Sequence, residues 1–142
     1  RSQSTALSLS TLTLTSADDV DTRQIILVRR FRALSSLRGC RSRACPRLAT
    51  TAALLGRPPP PLSLSSARTR WGSCSAKSGI RLNWRLIHLP PAPIDYVIAH
   101  EVAHLVEMNH GPRFWKLVER LYPDWRGARE ALKRLGAGLP LL

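Results

Sequence analysis

The apolar positions change period along the chain, from alternation in the middle to helical spacing in the last third. From Ile94 to about Met108, the residues Ile94, Val97, Ile98, Val102, Leu105 and Val106 recur three and four apart, which predicts one face of a helix. Pro90, Pro91 and Pro93 mark its start, because a proline in the first turn gives up no helical hydrogen bond. Asn109 and Gly111 mark its end. A second helix fits Pro112 to Leu121, with Phe114, Leu117, Val118 and Leu121 on one side, and Pro123 breaks it. Asp124 stands where it can cap a third helix running to about Leu135, closed by Gly136.

Upstream of these helices the pattern is that of strands. Leu62 to Ser66 alternates, and Arg70 to Ser75 and Ile80 to Leu86 read as two more strands separated by the turn-like segment Ala76–Gly79. In the last of them Ile80, Leu82, Trp84 and Leu86 would share a buried face, leaving Arg81, Asn83 and Arg85 on the other. Pro58 to Pro61 forbids a helix and predicts a stiff, extended connector. Ala44 to Leu55 is helix-like, with Gly56 at its C-terminal end, and Ile25–Val28 is a short apolar run that fits a strand. No internal repeat is present. The fold class expected is α+β, with residues 1–42 a poorly patterned, Arg-rich segment, 43–136 the folded domain and 137–142 a tail.

At 142 residues the chain holds one hydrophobic core. No stretch approaches the roughly 20 apolar residues of a membrane helix, so a membrane partner is not expected. Arg1 to Ser16 is rich in Ser, Thr and Leu but lacks the roughly 7–15 apolar run of a secretory signal; it is read as an unstructured leader or fragment edge. Cys40, Cys45 and Cys74 are odd in number and form no C-x-x-C pair, which argues against a disulfide framework and for a reducing, cytoplasmic setting. The net charge of +13 leaves a nucleotide or nucleic-acid partner open. Against that as the main function, 19 of the 22 basic residues are Arg, spread over both halves with no block longer than a pair.

Three of the four histidines lie between positions 100 and 110. His100-Glu101-Val102-Ala103-His104 is an H-E-x-x-H motif, and on a helix residues four apart stand one turn above each other, so both imidazoles can converge on one ion. A chance match arises in roughly one chain of this length in a few hundred. Imidazole nitrogen binds Zn²⁺, and catalytic zinc takes three protein ligands with a place left for water. His110, just past the helix end, is the third ligand expected, although Glu107 stands where the longer H-E-x-x-H-x-x-G-x-x-H form has Gly. Glu107 is a rival third ligand, placed about 10 Å along the helix axis from His100. Zinc-activated water with Glu101 as general base would hydrolyse an amide.

Arg70-Trp71-Gly72-Ser73-Cys74, Leu82-Asn83-Trp84-Arg85-Leu86, the run from Asp95 to Leu105, Asn109-His110-Gly111, Phe114-Trp115 and Tyr122-Pro123-Asp124 together resemble the YgjP-like metallopeptidase family, which belongs with the SprT-like and WLM-type small zinc peptidases. The resemblance covers about residues 43–136. It implies a minimal zincin: a short antiparallel sheet packed on the active-site helix, which two further helices follow. It also implies His100, His104 and His110 as Zn²⁺ ligands, Glu101 as base, a cytoplasmic setting, and a peptide or protein substrate. Trp71, Trp84, Phe114 and Trp115 are expected in the core. Arg70, Ser73, Asn83 and Arg85 are candidates for lining a substrate groove beside an edge strand. A metal-dependent phosphoanhydride hydrolase of nucleotides, and a basic nucleic-acid-binding module with a structural zinc, are the competing functions.

Overall fold

Four buried residues at intervals of four, Cys40, Ala44, Leu48 and Ala52, make one stripe of a helix that begins well before the expected Ala44. This helix, α1, spans Ala17–Ala53 in the computed structural model, which describes the backbone of residues 17–139 and the side chains of residues 34–139. The backbone of Ile25–Val28, where a strand was expected, belongs to it; a short apolar run has no periodicity of its own to separate the two cases. Pro46 lies inside α1, where it withholds one N–H from the helix. Gly56, at φ 65°, stands just beyond the helix end. Cα packing divides the chain into Arg1–Arg32 and Ala33–Leu142, and the architecture below is that of the second unit.

The arginines of α1 fasten it to the rest of that unit. Arg43 donates from Nη1 to the Ile87 carbonyl at 2.8 Å, and Arg47 pairs with Asp95 at 2.8 Å. The basic character of this stretch, which reads in sequence as unpatterned charge, thus coexists with a buried stripe of small residues.

Three strands follow: β1 (Leu62–Ser65), β2 (Gly72–Ser75) and β3 (Gly79–Asn83), in the order β1-β3-β2. The α+β expectation holds, but the sheet is mixed. β2 pairs antiparallel with β3, Ser73 opposite Arg81, whereas β1 runs parallel to β3, Leu62 opposite Ile80. In β3, Ile80 and Leu82 are buried and Arg81 is exposed, as alternation requires. The alternation stops at Asn83, because a 3₁₀ turn, Trp84–His88, replaces the second half of the expected strand. Asn83 caps that turn by accepting from the Arg85 N–H, and both Asn83 and Arg85 are buried instead of facing outward.

The helices α2 (Pro91–Ala103), α3 (Pro112–Leu121) and α4 (Trp125–Gly136) complete the fold. The start of α2 and both ends of α3 are marked by the prolines and polar residues read in sequence. α2 ends five residues before Met108, in a tightened turn where Leu105 N–H bonds the Val102 carbonyl at 3.0 Å and Val106 N–H that of Ala103 at 3.1 Å. Asp124 precedes α4, yet its side chain makes no capping bond. Ile98, Val102, Leu82, Ile80, Phe114 and Val118 form the centre of the core, with β2 packed on α2. Trp84 and Phe114 are buried there, whereas Trp71 and Trp115 are half-buried. Among the described residues no helix is long and apolar enough to cross a membrane.

Candidate metal centre

His100 sits in the last turn of α2 and His104 at its C-cap, one turn apart on one face. The chain then turns through Asn109, and His110 approaches from the segment leading into α3. Its Nε2 lies 3.1 Å from Nε2 of His100 and 3.0 Å from Nε2 of His104. Two nitrogens that share a tetrahedral Zn²⁺ at 2.0–2.1 Å should stand about 3.3 Å apart, so the spacing is that of a ligand set. Three imidazole nitrogens grouped in this way cannot all be satisfied by hydrogen bonds to one another, since each N–H meets one lone pair, and a cation that takes all three lone pairs would resolve the conflict. Among the described residues these three could hold a metal ion, and the donor set would suit zinc.

The surroundings of the three rings differ. His104 Nδ1 lies 3.1 Å from the Glu107 carbonyl, an acceptor that fixes the tautomer with Nε2 free for a metal. Glu107 therefore meets the cluster through its backbone, and its carboxylate is no member of it. The Trp115 indole N–H donates to the His110 carbonyl at 3.1 Å, tying the incoming loop to α3. Phe114 presents its ring to all three imidazoles at centroid distances of 4.8, 4.6 and 4.7 Å for His100, His104 and His110. Nδ1 of His100 is buried with no partner among the described residues. Burial first, then the neighbouring His104, His110 and Arg129, lower the pKa of His100 to about 4, so the ring stays neutral.

Glu101 lies against the sheet and lines one cavity together with His100. It is 6% exposed, and burial raises its pKa to about 7, against a smaller opposing pull from Arg70. Its carboxylate lies against Gly72 of β2: a Cβ at that position would stand 2.5 Å from Oε1 and 2.8 Å from Cδ. Only glycine leaves the room. A cavity of about 220 Å³ opens beside this contact, bordered by Arg70, Trp71, Gly72, Tyr96, His100 and Glu101.

Of the candidate groove residues, Arg70 borders that cavity. Asn83 and Arg85 border a neighbouring one together with Arg70, and Ser73 lies in β2 outside both. Three contributors escaped the sequence reading. Gly72 stands in a motif of the family resemblance with no role read for it, and Arg129, acting through space, has no sequence signal toward the site. Tyr96 had one: it stands four residues before His100 on the same helix, and its ring centroid is 5.9 Å from that of His100.

A family profile described as "YgjP-like, metallopeptidase domain" matches residues 21–135. Among solved structures, the metallopeptidase zymogen of Pyrococcus abyssi abylysin is similar, with a TM-score of 0.55 and 28% identity, over 66% of this chain and 91% of that one. No curated protein matches.

Proposed function

The chain belongs to the YgjP-like metallopeptidase family, and on that premise we propose that it is a zinc peptidase with His100, His104 and His110 as the metal ligands and Glu101 as the general base. The observation that carries the reading is the approach of His110 Nε2 to 3.1 and 3.0 Å from Nε2 of His100 and His104, next to the buried Glu101. When bound, zinc supplies a Lewis acid that polarises the scissile carbonyl and makes hydroxide available near neutral pH.

The chain's own groups do the rest. Glu101, walled in by Gly72, takes the proton from the attacking water and passes it to the leaving amine. Tyr96 borders the same cavity, and burial, moderated by Arg129, raises its pKa, so the phenol keeps its proton for donation to the charge developing on the carbonyl oxygen. Half-buried Trp71 bounds the cavity on the sheet side and limits access of bulk water. The three cysteines are free thiols, which supports a reducing compartment such as the cytoplasm.

Glu101→Gln tests the assignment. The variant is expected to hold zinc at one equivalent, by metal analysis, while cleavage of a quenched peptide library falls by about 10²–10⁴-fold. Full peptidase activity in that variant would remove Glu101 from the mechanism. Nucleoside triphosphates belong in the same assay, because the arginines beside the cavity favour them as the second reading; triphosphate turnover without peptide cleavage would replace the peptidase.

A further inference from the structure

The cavity at Glu101 shares Arg70, Trp71 and Leu132 with a second cavity of about 260 Å³. The cations on the wall of this second space are Arg68, Arg70, Arg85 and Lys133, and among the described residues no carboxylate borders it. Trp71, Leu132 and Leu139 supply apolar wall.

The backbone that carries two of these cations is tied down. Buried Asn83 donates from Nδ2 to the Ala67 carbonyl at 2.7 Å and to the Arg70 carbonyl at 3.1 Å, and its backbone N–H bonds the Trp71 carbonyl at 2.8 Å. Those three bonds pin both ends of the segment that carries Arg68 and Arg70. Lys133 comes from α4, where Glu130 meets its ammonium at 2.8 Å. Arg85 is buried, with its guanidinium 5.2 Å from the Trp84 ring centroid.

We infer that the second cavity is a subsite for an acidic side chain of the substrate, so that peptides bound at the metal centre carry Glu or Asp to one side of the scissile bond. The inference rests on the peptidase reading for its location, and on the cations that the tied backbone brings to one wall for its chemistry. A glutamate side chain suits the space on both counts. Its methylenes lie along Trp71 and Leu132, and its carboxylate meets guanidinium groups in charge-assisted hydrogen bonds. A phosphate backbone would meet the same cations but has no use for the apolar wall. The whole-chain charge of +13 would attract any anion to any face, so the test must separate this place from the rest of the surface.

Three fluorescein-labelled octapeptides that differ at one position, Glu, Gln or Lys, are titrated with the full chain by fluorescence anisotropy. The same peptides are then offered to zinc-loaded protein for cleavage. The Glu peptide is expected to bind about fivefold or more tightly than the Gln peptide at low ionic strength, with Lys weakest, and the advantage should shrink as salt is added. Arg68→Glu should reverse the order of Glu and Lys, whereas Arg120→Glu, the same change of charge at an exposed position of α3, should preserve it. Lys133→Glu serves as a second variant should Arg68→Glu fail to fold by circular dichroism. Equal affinity for Glu and Gln, or equal responses of Arg68→Glu and Arg120→Glu, overturns the subsite. So does single-stranded DNA that outcompetes the Glu peptide with the same dependence on Arg68. Preferential binding with no cleavage of any peptide would remove the peptidase reading and keep the acidic subsite; cleavage without preference would do the reverse.

Discussion

Gly72 and Glu101 occupy a space that one methyl group would overfill. Gly72→Ala forces the carboxylate to move, since the added Cβ would stand 2.5–2.8 Å from three of its side-chain atoms. The expected result is full zinc content with activity reduced about 10²-fold, read by metal analysis beside peptide cleavage. Tyr96→Phe removes a proton donor without changing the shape of the cavity, so kcat should fall about 10²-fold while KM holds. Acid titration of the chelated, metal-free chain gives a third check. Glu101, with its pKa raised to about 7, adds stability that is full below about pH 4.5 and lost as pH rises through 7. His100, lowered to about 4, adds stability that is present above pH 6.5 and lost as pH falls through 4. Between about pH 4.5 and 6.5 the two slopes oppose each other, and Glu101→Gln should leave the His100 slope alone, so that stability in urea then rises with pH. That His100 and His104 stand one turn apart was legible because helical periodicity fixes their geometry from four consecutive steps. Gly72 was not, because its partner lies 29 positions away in the chain and only folding brings them together.

At the scale of elements, the loop between α2 and α3 decides whether a third imidazole arrives. From the first turn of α3 the Trp115 indole N–H donates to the carbonyl of His110, and the Phe114 ring packs against all three imidazoles. Trp115→Phe deletes the indole N–H, and zinc affinity, measured by competition with a chromophoric chelator, should weaken by about tenfold or more. Phe114→Ala empties a fully buried site and should cost about 3–5 kcal/mol of stability in denaturant titration. The ends of α3 were readable because proline and a sharp change of pattern bracket it. The part of α1 before Ala44 was not, since the buried Cys40 is small, Arg, Ser and Gly surround it, and the burial that defines the stripe comes from distant elements. Local alternation likewise could not reveal that β3 gives way to a 3₁₀ turn at Asn83, whose side chain answers carbonyls 13 and 16 residues upstream.

For the molecule as a whole, a metal that binds only the folded state raises its stability by about 2.7 kcal/mol at a hundredfold excess over Kd. That simple linkage assumes an unfolded chain with nothing to offer the ion. Here every imidazole of the cluster lies within residues 100–110, so the ring that a metal must close is short and inexpensive in entropy even when the sheet and the flanking helices have come apart. Denatured chains should therefore retain part of their zinc, and the rise in Tm on zinc addition should fall short of the value computed from the native Kd. A melt followed with a colorimetric zinc indicator would register this as metal leaving after, and not with, the loss of tertiary structure. What makes the site easy to find in the chain thus also makes it a poor clamp on the fold.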